Sequence, residues 1–299
     1  MRIVYITNSD KNSQCDFQEV STLHGLREVL GNDCIDYPRK KIMYGEYDES
    51  PKPELHGKGF SLLTYPIEDI SDRTLQDIDF VLYGVTDAYG VENIKEIEKL
   101  ARYGVFYLDG HDHSRISRTP CFKRELFKKH DNVYPTGFGI PYHRIKPISI
   151  SHKNKLFQKT APPYSLFGPQ ILGVEGRKLY CFDDEEEYYD DMSRSFFGLT
   201  CKKGGWDSLR HYEILAAGSC LLFRDYKHKP FLCSPRHLPC FSYSTKGELE
   251  SLVNRLLPNG KPSEAYISML DKQRSWLLKY GTTRARAKKI LEILKNEIS

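Results

Sequence analysis

No run of apolar residues in this 299-residue chain approaches the ~20 needed to cross a bilayer. Mean hydropathy is negative, and the balance of 39% hydrophobic to 28% charged residues is that of a water-soluble globular protein. The N-terminus lacks the apolar stretch of a signal peptide: residues 1–7 read as a strand, and the chain turns polar at Asn8, Ser9 and Asp10. Cys-x-x-Cys pairs are absent, and the eight cysteines are scattered, Cys220 for example standing before the apolar Leu221, Leu222 and Phe223. That usage excludes a small disulfide scaffold and points to reduced thiols in the cytoplasm. Cys233 and Cys240, which flank His237, read as packing thiols rather than zinc ligands. Net charge is small, +4 over the whole chain, too dilute for dedicated duplex binding and compatible with phosphate-bearing substrates. No internal repeat is present.

The chain is long enough for two compact units, each with its own core. In the first half, short β-rich runs at 3–7, 80–85 and 105–108 alternate with helix-like stretches at 18–30 and 91–103. Such alternation predicts a parallel sheet with crossover helices. Residues 38–59, charged and rich in proline and glycine, read as a long loop. Gly137, Phe138 and Gly139 close this half, and a boundary is placed near 150, giving domains 1–150 and 151–299. In the second half a strand at 177–182, an acidic helix at 184–195 and a strand at 196–200 lead to a glycine turn. A helix at 208–217 and a strand at 220–223 complete a β-loop-α-β unit. The segment 264–298 shows helical spacing, and its basic run 284–289 reads as a solvated face.

Chemistry concentrates in the stretch Lys202, Lys203, Gly204, Gly205, Trp206, Asp207 and Ser208. It sets two cations and two glycines ahead of a helix whose N-cap is Asp207 or Ser208. Backbone amides, the helix dipole and nearby cations together hold a diphosphate. Arg210 and Glu213, three apart, share a helix face, one offering a guanidinium for phosphate and the other a carboxylate for ribose hydroxyls. The plain alternative is an ordinary surface ion pair on a capped amphipathic helix.

The run 207–219, in which Arg210 is followed by two residues, Glu213, and then Gly218 before a strand, resembles the donor-binding helix of exostosin-like and related GT-B glycosyltransferases. The preceding acidic, tyrosine-containing helix and the run Ser193 to Leu199 fit the same resemblance, which covers about residues 177–230. Ile214 stands where the family often has alanine, and Ser219, Cys220, Leu221 and Leu222 replace its usual strand entry. The resemblance implies an α/β protein of two Rossmann-like domains facing a cleft, a compact GT-B. It further implies that Glu213 binds the donor ribose, Arg210 the diphosphate, and the loop from Gly204 to Ser208 faces the phosphates.

In the first half, Asp109, Gly110, His111, Asp112 and His113 follow an apolar strand, where ionisable groups leave the carboxyl edge of a parallel sheet. Asp112 and His111 are the preferred candidates for a general base toward an acceptor hydroxyl, with Asp109 beside them. The same cluster offers ligands for a divalent cation, or a hydrogen-bonded turn. GT-B enzymes, by the resemblance, stabilise the leaving diphosphate with helix N-termini and cations, so no metal and no other cofactor is expected. Residues 122–126, Phe-Lys-Arg-Glu-Leu, resemble an element of uncharacterised sugar transferases. Lys123 or Arg124 then reaches a phosphate or the acceptor, against the alternative of a surface helix. Asp87 and the Asn8, Ser9, Asp10 group stand at further strand ends, positioned to touch an acceptor.

These readings converge on transfer of a sugar from a nucleoside diphosphate sugar to an acceptor hydroxyl, by default on a glycan or lipid-linked sugar. Three others stay open: a phage-type enzyme glycosylating a hydroxymethylated DNA base, an inactive nucleotide- or glycan-binding module, and a nucleic-acid-binding protein without catalysis.

Overall fold

The computed structural model describes residues 1–8, 16–46, 65–86, 91–160, 182 and 184–298. Two parallel sheets organise it. The first has strand order β2-β1-β3-β4-β5-β6, with β1 Ile3–Ile6, β2 Cys34–Tyr37, β3 Phe80–Tyr83, β4 Gly104–Asp109, β5 Cys121–Lys123 and β6 Val133–Pro135. The second runs β10-β9-β8-β7, with β7 Lys155–Phe157, β8 Ser195–Cys201, β9 Cys220–Arg224 and β10 Phe241–Tyr243. β1, β3 and residues 220–223 of β9 are continuous apolar runs because parallel strands covered on both faces have no polar side.

Helix α1, Phe17–Leu30, starts where the Asp16 carboxylate accepts from the amides of Gln18 and Glu19. The strand order reverses direction between β1 and β3, and the crevice at that switch point is where open α/β sheets bind ligands. Helix α2 is much shorter than the expected 91–103, spanning only Ile94–Glu98. Beyond it the amides of Arg102 and Tyr103 bond to the carbonyls of Ile78 and Asp79, so the chain is already being drawn toward β4. Strands β5, β6, β7 and β10, three residues each, were outside the sequence expectation, as was helix α5, Lys246–Leu256. The alternative of a surface helix at 122–126 is excluded, since these residues are the end of β5 and the turn after it, buried throughout. The expected strand at 177–182 lies outside the described residues except for Phe182, as does the loop from residue 47 onward.

Helix α3, Glu185–Ser193, and helix α4, Leu209–Ala216, pack on the second sheet. The C-terminal stretch divides into α6, Glu264–Trp276, a π-helical turn Leu277–Gly281, and α7, Thr283–Asn296. At the break, Ile140 bonds to both Gly281 and Thr283, and α7 crosses onto α1. Gly25 makes that approach possible, since a Cβ there would lie 2.1 Å from the Thr283 carbonyl oxygen. One continuous core therefore runs from β1 and α1 through α4 to Ile290 and Leu294 of α7.

Candidate functional site

A cleft of about 420 Å³ lies between the two sheets, with Asp16, Gln18, Gly110 and Asp112 on the first-half wall. Lys203, Ser208, Arg210 and Glu213 line the second-half wall. α4 begins here. Its N-cap is Ser208, whose side chain caps no amide, so the positive end of the helix opens on the cleft without a protein acceptor from its own cap.

Asp207, the alternative N-cap, is used otherwise. Its carboxylate accepts from the Phe138 amide at 2.9 Å and the Tyr212 hydroxyl at 3.0 Å. Its own amide donates to Glu125 Oε1 at 3.0 Å and its carbonyl accepts from Arg124 Nη1 at 2.7 Å. The residue thus fastens the start of α4 to the first half. Gly204 and Gly205 lie against the same wall: a Cβ would come within 2.2 Å of Asp112 at the first and 2.5 Å of Glu125 at the second. The glycines are needed for close approach. Burial pushes the Glu125 carboxyl up, and the amides of Asp207 and Trp206 pull it back toward the charged form.

Arg210 and Glu213 are both buried, which removes the surface-pair alternative. Glu213 Oε2 accepts from the Tyr188 hydroxyl and, at 3.2 Å, from Arg210 Nε. Its other oxygen, Oε1, is enclosed and has no hydrogen-bond partner. Burial holds the Tyr188 hydroxyl well above the ordinary phenol range, so it stays a donor to Glu213. Arg210 also donates to the Thr160 carbonyl at 2.8 Å. Lys203 projects beside them, its ammonium lowered from the usual lysine range by the protein around it and by Arg210. Lys202 lies over the ring of Trp206 at 5.5 Å, and Trp206 packs on Phe223, so these two support the loop from behind.

On the other wall, Asp112 is about half exposed and bound to Arg124. Asp109 is buried, with Oδ1 bonded to Lys123 Nζ at 2.7 Å and to His111 Nδ1 at 3.0 Å. Lys123 is fully enclosed, so its charge is committed to Asp109 rather than turned to the cleft. His111 is stacked on His113 with ring centroids 5.0 Å apart and does not line the cleft. Asp87, Ser9 and Asp10 lie outside the described residues, and Asn8 donates its amide to Glu19. Among the described residues no group of His, Cys, Asp or Glu has the arrangement of a metal site. Sequence reasoning passed over Gln18, Glu125, Phe138 and Tyr188. The available signals were the helix start after Asp16, the charged 122–126 element and the two glycines around Phe138.

His211 ties the loop to α4: Nδ1 is 3.0 Å from Thr200 Oγ1 and Nε2 is 3.0 Å from the Trp206 carbonyl. A carbonyl only accepts, so Nε2 of the ring carries a proton. Burial pushes its pKa down to about 4. The unfolded chain binds this proton at the ordinary ~6.5, so stability is lost as the pH falls from there through about 4. Full linkage amounts to about 3 kcal/mol. In denaturant titrations between about pH 7 and pH 4.5, the stability advantage of wild type over His211→Asn is expected to shrink as pH falls. A constant difference would show that His211 does not titrate in this way.

No protein-family model matches the sequence and no curated protein matches it. The fold is that of GT-B glycosyltransferases, in a compact two-sheet form. Solved structures similar to it include HepE of Anabaena in complex with UDP and glucose, with TM-score 0.59 at 10% identity over 99% of this chain and 100% of that one. AviGT4, a glycosyltransferase involved in avilamycin A biosynthesis, aligns with TM-score 0.54 at 11% identity over 99% of this chain and 97% of its own. Trehalose-6-phosphate synthase OtsA aligns with TM-score 0.53 at 10% identity over 99% of each chain. At such identities the likeness is one of fold.

Proposed function

We propose that the protein is a glycosyltransferase that moves a sugar from a nucleoside diphosphate sugar to an acceptor hydroxyl, with a donor helix of the exostosin-like type. The observation that carries this is the opening of α4 on the cleft with buried Arg210 and Glu213, the latter holding one enclosed oxygen without a partner. In this reading the diphosphate sits at the α4 N-terminus between Lys203 and Arg210, and Glu213 Oε1 accepts from a ribose hydroxyl. The helix and the two cations offset the charge that develops on the leaving diphosphate, so the reaction proceeds without a metal. Asp112 is the carboxylate placed at the cleft to take the acceptor proton, with Arg124 positioning it, and Lys123 and Asp109 hold His111 beside it.

HepE was crystallised with UDP-glucose, which makes UDP-sugars the first donors to try. Residues 1–150 would present the acceptor and 151–299 the donor. The unpaired buried thiols of Cys34, Cys121, Cys201, Cys220 and Cys233 suit a reducing cytoplasm.

Thermal melting with UDP, UDP-glucose and other nucleotide sugars, followed by measurement of nucleotide release, tests the reading. A native-state ligand at ~100 times its Kd adds about 2.7 kcal/mol, so one nucleotide sugar should raise the melting temperature and be turned over. Stabilisation without release in the presence of any acceptor would favour an inactive binding module. No stabilisation by any nucleotide would overturn the proposal.

A further inference from the structure

Gln18, second residue of α1, is 2% exposed and lies on the wall of the cleft opposite Arg210 and Glu213. Both its Oε1 and its Nε2 are enclosed, and neither has a hydrogen-bond partner. A buried carboxamide with its donor and its acceptor unmet is costly to retain unless something outside the chain completes it. Gly110 leaves the space beside it: a Cβ there would stand 2.8 Å from Gln18 Oε1.

The two walls also differ in charge. The donor wall presents Lys203 and the positive end of α4, with Arg210 paired to Glu213. On the opposite wall Arg124 is taken up by Asp112, Gly110 and Asp207, and the Asp16 carboxylate, which caps α1, stands beside Gln18 at 2.8 Å from its backbone amide. Phe17 and Phe138, both half-buried, flank it.

We infer that Gln18 is an acceptor-recognition residue, its carboxamide both donating to and accepting from hydroxyls of a neutral sugar. The inference rests on the glycosyltransferase reading and narrows its acceptor. A carboxamide matches the double donor and acceptor character of a hydroxyl, and the adjacent Asp16 disfavours phosphate or carboxylate groups at that point. A polyanionic acceptor such as DNA is thereby disfavoured. Gln18 acts on binding of the acceptor and leaves the donor site alone.

The experiment is saturation-transfer NMR of the UDP-loaded protein with a panel of neutral 4-nitrophenyl glycosides, the matching 4-nitrophenyl glucuronide and a short single-stranded oligodeoxynucleotide. Neutral glycosides should bind wild type at least ~10-fold more tightly than the glucuronide. Gln18→Leu and the near-isosteric Gln18→Glu should each weaken glycoside binding by ~10-fold or more, since a site built to bond a hydroxyl loses that much when the partner is gone. UDP affinity should stay within about two-fold in both. If Gln18→Leu fails to fold, Gln18→Glu decides. Glycoside binding unchanged in the folded variants, no glycoside binding by UDP-loaded wild type, or preference for the glucuronide or oligonucleotide would overturn the inference alone. Failure of wild type to bind UDP or any other nucleoside diphosphate would overturn the donor reading beneath it.

Discussion

Glu213→Gln should bind UDP at least ~10-fold more weakly than wild type, because the charge-assisted hydrogen bond that Oε1 accepts from a ribose hydroxyl is worth ~1.5–3 kcal/mol. The substitution keeps the shape of the side chain, removes its charge and turns one acceptor oxygen into a donor. Uridine, which has the ribose and no phosphate, should lose affinity in the same proportion. Arg210→Gln should separate the two ligands, weakening UDP while sparing uridine, because the guanidinium is read as a phosphate contact. Both residues are buried and paired at 3.2 Å, so each variant will also melt lower than wild type. The distinguishing readout is therefore the ratio of UDP to uridine affinity by calorimetric titration. An unchanged UDP affinity in Glu213→Gln would remove the carboxylate from the donor site.

Arg124→Met should destabilise the protein by about 3–5 kcal/mol, because it takes the charged donor from the buried Gly110 and Asp207 carbonyls, each such bond being worth ~1.5–3 kcal/mol. Three separate things are lost at once. Arg124 Nε and Nη2 donate to the Gly110 carbonyl, at 3.0 and 2.5 Å, Nη1 donates to the Asp207 carbonyl at 2.7 Å, and Nη2 also holds Asp112. The Asp207 contact is the one that ties α4 to the first half, so the loop that meets the donor is expected to loosen with it. With ~2–4 °C lost per kcal/mol in chains of this size, the melting temperature should fall by roughly 6–20 °C. Asp112→Ala should cost under ~1 kcal/mol, because that carboxylate is 54% exposed and screened by water. A melting temperature for Arg124→Met within about 2 °C of wild type would show that the halves are held together elsewhere.

The elements that were legible in the sequence are those with a strong local signature. β1, β3, β4 and β9 are apolar runs, α3 and α4 follow Asp184 and Ser208, and the glycine turn separates β8 from α4. The three-residue strands β5, β6, β7 and β10 show no alternation long enough to read, and their place is set by pairing partners far away in sequence. Phe122 and Lys123 illustrate the difference. A charged cluster of this kind suggests a surface helix, yet pairing with β4 buries both and sets Lys123 against Asp109.

At the candidate site the same division holds. The spacing of Arg210 and Glu213, the glycines at 204 and 205 and the helix start at Ser208 are local facts, determined by the sequence because residues three apart on a helix share a face whatever surrounds them. Burial of that pair, the enclosed oxygen of Glu213, the clamp from Arg124 and Glu125 onto Asp207, and the unmet carboxamide of Gln18 were decided only by tertiary structure. Each depends on contacts beyond the local turn of chain, from the 25 residues between Tyr188 and Glu213 and the 50 between Thr160 and Arg210 to the 83 between Arg124 and Asp207. Local spacing carries no information about which distant surface closes over it, and burial is what turns an ordinary ion pair into a site with a bond left to make.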